Sequence, residues 1–192
     1  AGGGTAVYID TEGLSVDRFR QIAEAEAQAQ AQAAAGGEGD LDALTSRIVV
    51  SEVHDFAEQE EAVRDASDLA PEADLVVLDS ATGFYRLERT GDVEAGDALR
   101  RVTSQITHLL SLARKHDLAV LVTNQVYTDP ESDRARPLGG HTLEHWTGTV
   151  VRLDRFRGGK RRATLEKHRS EAAGSSATFE ITGSGIAAVE DF

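Results

Sequence analysis

Asp74-Leu75-Val76-Val77-Leu78-Asp79-Ser80 is the stretch that decides the fold. Four consecutive aliphatic residues bounded by acids leave neither face of a strand polar. That is how a central strand of a parallel sheet reads, because helices cover both of its faces. Working outward, Thr5 to Ile9 (TAVYI) follows glycines and predicts an earlier strand, and Arg47 to Ser51 predicts another. Leu118 to Thr123 predicts a fourth, again buried. Helical stretches separate them. Ser15 is placed to cap a helix running through Phe19, Ile22 and Ala23. Phe56 to Leu69 predicts a helix ending before Pro71. Between Asp92 and His116, Leu99, Val102, Ile106, Leu109, Leu110 and Ala113 fall on one helical face. Alternating strands and helices imply right-handed crossovers, hence an α/β fold with a mainly parallel sheet between helical layers. After Pro137 the pattern changes to short strands joined by glycine turns: Thr149 to Leu153, Arg162 to Lys167, Ala177 to Ile181 and Ile186 to Val189. Residues 149–190 therefore read as an antiparallel C-terminal extension of the sheet. Glu24 to Ala35 (EAEAQAQAQAAA) has good helix formers and no large apolar residue, so residues 24–40 read as a solvated, low-complexity insertion ending at Gly36-Gly37.

The 192 residues, 40% of them hydrophobic, suit one domain with its own core, residues 1–192. The absence of cysteine excludes disulfides, thiolate metal sites and cysteine nucleophiles. Apolar runs such as Leu118 to Val122 fall far short of the roughly 20 residues a membrane helix needs. Ala1-Gly2-Gly3-Gly4 is neither a signal peptide nor a transit sequence, so the reading is a cytoplasmic protein without membrane association. The net charge is −13, and only Lys115, Lys160 and Lys167 are lysine. An acidic, lysine-poor, alanine-rich surface stays soluble where salt screens repulsion, which points to a salt-rich cytoplasm; an ordinary acidic protein is the alternative. Such a charge argues against nucleic-acid binding by the whole surface, though not by a local basic patch. The chain starts at Ala1 immediately before a strand and reads as a piece of something longer.

Ligands of an open parallel sheet sit at the carboxyl ends of its strands. Here those ends read Asp10-Thr11-Glu12, Asp79-Ser80 and Thr123-Asn124-Gln125. A single strand-end aspartate is as often a turn former as a catalyst, but three polar ends on one edge make a candidate site. A carboxylate at Asp79, rigid on a buried strand, suits a magnesium-bound water; Glu12 suits polarisation of an attacking water, and Gln125 sensing of a terminal phosphate.

Tyr8 to Gly13 (YIDTEG), Leu75 to Ser80 (LVVLDS), Leu121 to Val126 (LVTNQV) and Pro137 to His145 (PLGGHTLEH) occur in this order and resemble the ATPase core of the RecA/RadA recombinase superfamily. Asp10 to Ala23 (DTEGLSVDRFRQIA), the short connection after Asp79 and Leu165 to Ser170 (LEKHRS) are most similar to an archaeal recombinase paralogue, and the acidity suggests a haloarchaeal one. The resemblance covers nearly the whole chain except the alanine-glutamine insertion. It implies a three-layer RecA-like P-loop NTPase core using ATP and Mg2+. Within it Glu12 corresponds to the water-activating glutamate, Asp79 to the Walker B aspartate reaching magnesium through water, and Gln125 to the amide linking γ-phosphate to the second DNA-binding loop. That loop corresponds to Tyr127 to Gly140, and a shortened first loop to Thr82 to Gly96. The family's GxxxxGK[ST] element occurs nowhere in these residues. Without its backbone amides, lysine and hydroxyl, the chain is expected to bind ATP poorly. The flanking first strand and helix are likewise missing, and an N-terminally incomplete sequence is inferred.

Arg86 and Arg89 in the first loop, and Arg134, Arg136, Gly139 and Gly140 in the second, are the expected DNA contacts, with Phe84 and Tyr85 as stacking candidates or core residues. Arg152 to Arg169 carries eight Lys/Arg against two acids, which fits either phosphate contact or a solvated hairpin. His141 and His145 have the spacing of two metal ligands without a third in evidence, so loop or core histidines are expected, with Trp146 in the core. The resemblance implies a DNA repair and homologous recombination accessory protein that binds ATP and single-stranded or branched DNA. Weak ATPase activity, no strand exchange and a possible homo-oligomer are expected. The alternative is a non-catalytic mediator that binds and regulates the main archaeal recombinase.

Overall fold

A computed structural model describes residues 4–33, 40–85, 92–130 and 134–189. The chain divides into two compact units: residues 1–14 with 45–146, and residues 15–44 with 147–192.

The first unit is built on a parallel sheet of β1 (Ala6–Asp10), β2 (Ile48–Glu52), β3 (Leu75–Asp79) and β4 (Ala119–Val122), in the order β2-β1-β3-β4. The register pairs Val7 with Val76, Ile9 with Leu78, and Leu78 with Val122, so these residues share one face. Two helices, α3 (Phe56–Leu69) and α4 (Asp92–His116), supply the rest of the core with Phe56, Val63, Val102, Ile106 and Leu109. Each fully buried aliphatic side chain there contributes roughly 1.5–3 kcal/mol. Asp55 caps α3 by accepting the Glu58 amide at 2.8 Å, while Glu58 reaches back to the His54 amide at 2.8 Å. Arg101 ties α4 to α3: its guanidinium meets both carboxylate oxygens of Glu60 at 3.0 and 2.6 Å and lies over the Phe56 ring. At the end of α4, Asp117 adopts a left-handed φ of 55° and Leu118 N–H bonds Ala113 O at 3.2 Å. That closure usually falls to glycine.

β4 is the last strand in the sheet order rather than a buried one: Ala119 and Leu121 are exposed, the latter by 54%. A further small sheet, the hairpin β5 (Val126–Asp129) and β6 (Arg134–Pro137), leads into the short helix α5 (Thr142–Trp146). Trp146, expected in the core, is 40% exposed beside Leu110, Ser111 and Arg114 of α4.

In the second unit, β7 (Val150–Arg155), β8 (Arg161–Lys167), β9 (Ser176–Thr182) and β10 (Gly185–Val189) pair with one another as an antiparallel sheet, order β10-β9-β8-β7. The β7–β8 turn takes positive φ at Gly158 (66°) and Gly159 (80°). Helix α1 (Val16–Ala33) is capped by Ser15, whose hydroxyl accepts the Arg18 amide at 3.3 Å. Arg18 fastens α1 to the β9–β10 turn through the carbonyls of Thr182 (2.6 Å), Gly183 (2.9 Å) and Gly185 (3.3 Å). The described part of the alanine-glutamine stretch continues α1, and Ala23 and Ala27, one turn apart, are buried. It is thus more than a solvated extension, because alanine spacing alone supplies a narrow packing stripe. Residues 34–39, with the expected end at Gly36-Gly37, lie outside the described residues. A short helix α2 (Leu41–Thr45) follows, its start capped by Asp40 accepting the Ala43 amide at 2.8 Å.

Candidate functional site

The parallel register sets Asp10 level with Asp79, so β1 and β3 end together. The two acids have different surroundings. Asp10, 3% exposed, turns back on its own chain and accepts the amides of Glu12 (3.1 Å), Gly13 (3.0 Å) and Leu14 (2.5 Å). It is the turn former of the edge. Asp79 is held by hydroxyls instead: Tyr8 donates to Oδ2 at 2.5 Å and Thr123 to Oδ1 at 2.6 Å. Tyr8 lies two residues before Asp10 on the same face, opposite Val77, which is why its phenol reaches Asp79 diagonally. Burial first, then the hydrogen bond and charge of Asp79 and the charge of Asp10, push the Tyr8 phenol well above its ordinary range.

Glu12 is exposed at the mouth of this edge. Its Oε1 accepts from Ser80 Oγ at 2.8 Å and from Gln125 Nε2 at 2.7 Å. The three polar strand ends therefore meet at one carboxylate. Both bonds fall on Oε1, and two strong donors fix the direction in which Oε2 points. Thr11 locks the Ser80 backbone, accepting its N–H at 2.7 Å and donating to its carbonyl at 3.1 Å. The Asp79–Ser80 peptide is cis. Gly83 closes over the cluster: a Cβ there would stand 2.7 Å from Thr11 Oγ1 and 3.2 Å from Glu12 Oε1.

The structure thus brings Glu12, Asp79 and Gln125 to one edge. Arg86 and Arg89 lie outside the described residues, and so does the Arg134 side chain. Arg136 is exposed on β6 and paired with Asp129 of β5 at 2.7 Å, so its charge is already engaged within the hairpin. Gly139 (φ 80°) and Gly140 (φ 66°) turn the chain after β6, and a Cβ at Gly139 would meet Leu99 of α4 at 3.1 Å. Tyr85 is 4% exposed and Phe84 packs against the core, which removes Tyr85 as a stacking surface. An exposed aromatic ring does stand on the hairpin: Tyr127, opposite Arg136 and 47% exposed. Its place after the Gln125 amide was the available signal. His141 bonds Glu144 at 2.8 Å and His145 meets the Trp146 ring edge-on. In the basic stretch, Arg152 pairs with Asp154 (2.9 Å) and Glu166 (3.0 Å), and Arg162 lies over the Phe156 ring at 3.8 Å, while Arg155 and Arg157 stay exposed.

The residues present fit half of a magnesium-nucleotide site. A carboxylate has about four lone-pair directions, so Asp79 keeps acceptor capacity beyond its two hydroxyl bonds and suits a metal-bound water. Groups that would grip phosphates, the GxxxxGK[ST] amides and lysine, are not in this sequence. Among the described residues no helix is long and apolar enough to cross a membrane.

The Rad51 family model matches residues 1–189. The DNA repair and recombination protein RadB of Halobacterium salinarum is 62% identical over 196 aligned residues, covering 100% of this chain and 78% of that protein. RadB of Methanococcoides burtonii is 40% identical over 185 residues, covering 96% of this chain and 76% of that protein. A crystal structure of the RadB recombinase superposes with a TM-score of 0.74 at 33% identity, covering 98% of this chain and 80% of that one. With its RecA-like sheet, its antiparallel C-terminal strands and RadB proteins among its relatives, the chain belongs to the Rad51 family.

Proposed function

We propose that this chain is the core of a DNA repair and homologous recombination accessory protein of the cytoplasm, which binds ATP with Mg2+ and single-stranded or branched DNA and hydrolyses ATP weakly. The convergence of Ser80 and Gln125 on Glu12 carries this reading, because a carboxylate held by two donors beside a strand-end aspartate is arranged for orienting a water. In this reading Glu12 polarises the water, Asp79 holds a metal-bound water, and Gln125 connects Glu12 to the hairpin that follows. Mg2+ would supply charge neutralisation at the transferred phosphoryl group. Arg86, Arg89, Arg134, Arg136, Gly139 and Gly140 belong to the DNA-facing loops. The names of the RadB relatives support the repair and recombination role.

A second reading is a non-catalytic mediator that binds the main archaeal recombinase, alone or as a homo-oligomer. Replacing Glu12 with Gln in the protein as expressed in its source separates the two. Loss of a catalytic base typically slows turnover by about 10²–10⁴-fold, so the expected outcome is loss of ATP hydrolysis together with repair of DNA damage, with DNA binding retained. Full repair by Glu12→Gln would transfer the assignment to the mediator.

A further inference from the structure

We infer that Thr82 and Asn124 are positioning residues that fasten the base of the β5–β6 hairpin to the turn holding Glu12, as a second link in parallel with the direct Gln125–Glu12 bond. The inference deepens the reading of this edge and rests on Glu12 being its working carboxylate.

Thr82 is fully buried, yet its hydroxyl makes two bonds. Oγ1 donates to Asn124 Oδ1 at 2.7 Å and accepts the Gln125 amide at 3.1 Å. The other end of the Asn124 amide donates to Leu138 O at 3.2 Å, and Leu138 N–H donates to Gln125 O at 2.8 Å. One hydroxyl therefore anchors a ring of bonds joining the strand end at 124–125 to Leu138, the residue that follows β6. Leu138 is itself buried, so the hairpin base is fixed by packing as well as by polar contact.

On its other side the same turn reaches the site. Ser80, two residues before Thr82, gives its hydroxyl to Glu12. Between them, Ala81 O accepts Nε2 of Gln59 at 3.2 Å, and that nitrogen also donates to Gln105 Oε1 at 2.7 Å. Gln59 is 0% exposed and Gln105 5%, so a buried amide pair from α3 and α4 holds the turn from beneath. Three consecutive residues, Ser80, Ala81 and Thr82, are each fixed to a different element. Buried polar groups resist losing their partners. A displacement of Leu138 accordingly moves the turn, and with it Ser80 and the orientation of Glu12, instead of being absorbed between them.

Residue-resolved amide hydrogen exchange on the 192-residue chain tests this without nucleotide or DNA, so its outcome is independent of the ATPase test. Thr82→Val removes the hydroxyl at nearly constant volume. The Gln125 and Leu138 amides are expected to exchange about tenfold faster through local opening, the Val77 and Leu78 amides to stay unchanged, and Thr82→Ser to restore protection. Asn124→Ala cuts the link at a less buried residue and is expected to give the same result at Leu138, which serves should Thr82→Val not fold. Ser80→Ala is expected to speed the Leu138 amide in the parent chain and to have a smaller effect in the Thr82→Val background, where only the direct Gln125–Glu12 bond remains. Unchanged Leu138 exchange in both link variants would overturn the inference. So would a uniform rise that includes β3, or a Ser80→Ala effect on Leu138 that is as large with Thr82→Val as without it.

Discussion

A methyl group at position 83 meets the site where it has least room to yield. In Gly83→Ala the new Cβ would stand 2.7 Å from Thr11 Oγ1, 3.2 Å from Glu12 Oε1 and 3.4 Å from Ser80 Oγ. Ordinary contact begins near 3.4 Å, so Thr11 Oγ1 must retreat by several tenths of an ångström. That oxygen is clamped between the N–H and the carbonyl of Ser80. Weakening those two bonds costs about 0.5–1.5 kcal/mol each, and overpacking a closed site costs about 1–3 kcal/mol. Alanine returns about 0.4–1 kcal/mol by restricting the unfolded chain. The net expectation is a loss of about 1–5 kcal/mol. Gly96 in α4 is the control: nothing lies within 4 Å of a Cβ there, and Gly→Ala in a helix is worth about 0.5–1 kcal/mol of added stability. The assay is urea unfolding followed by fluorescence of Trp146, the single tryptophan, which lies in the same compact unit as Gly83. Opposite signs for the two alanines are expected. A Gly83→Ala chain as stable as Gly96→Ala would mean that Thr11 and Glu12 move freely and that the edge is not preformed.

Two further outcomes follow from the same contacts. Because the Tyr8 phenol is raised in the folded state, the unfolded chain loses its phenolic proton first. Stability conferred by Tyr8 is therefore fully present below the ordinary tyrosine value of about 10 and declines as pH rises above it. Urea midpoints in metal-free buffer should fall less between neutral and strongly alkaline pH for Tyr8→Phe than for the parent chain; equal slopes would count against the Tyr8–Asp79 bond. Asp117 takes a left-handed φ at the close of α4 where glycine is unstrained, so Asp117→Gly should add up to about 1 kcal/mol, net of glycine's entropy in the unfolded chain. A lowered midpoint would show that the Asp117 side chain contributes more than its backbone strain costs.

β3 was legible because a strand apolar on both faces leaves few alternatives, and observed Leu75–Asp79 sits inside the expected Asp74 to Asp79. The same logic misread β4. An aliphatic run states that a strand is apolar, but not whether another strand lies beyond it, and Leu121 is exposed. The β5–β6 hairpin was hidden by its length and composition: VYTD and RARP are four residues each, and Val126 is their one branched aliphatic residue. In α1, alanines at i and i+4 bury a stripe that a search for large apolar residues passes over. At the site, Glu12, Asp79 and Gln125 could be picked out because polar residues end apolar strands. Their supporting partners could not. Tyr8 reaches Asp79 and Thr82 reaches Asn124 only through the register between strands and the path of a turn, and neither is encoded in spacing along the chain.

The pairing of Asp10 with Asp79 shows how one edge makes two carboxylates serve different ends. Like charges at level positions of adjacent strands repel unless each is compensated. Asp10 is compensated by three backbone amides of its own turn, which spends its acceptor capacity inside the fold and fixes the chain that presents Glu12. Asp79 meets two hydroxyls, from β1 and from the residue after β4, which orient the carboxylate and leave lone pairs unused. A carboxylate held in a set direction with lone pairs to spare suits a hydrated divalent cation. The acid that looks identical in sequence, an aspartate ending an aliphatic strand, is thus structural in one strand and available in the next. What decides between them is which donors each carboxylate meets: three backbone N–H groups of its own turn at Asp10, two side-chain O–H groups at Asp79.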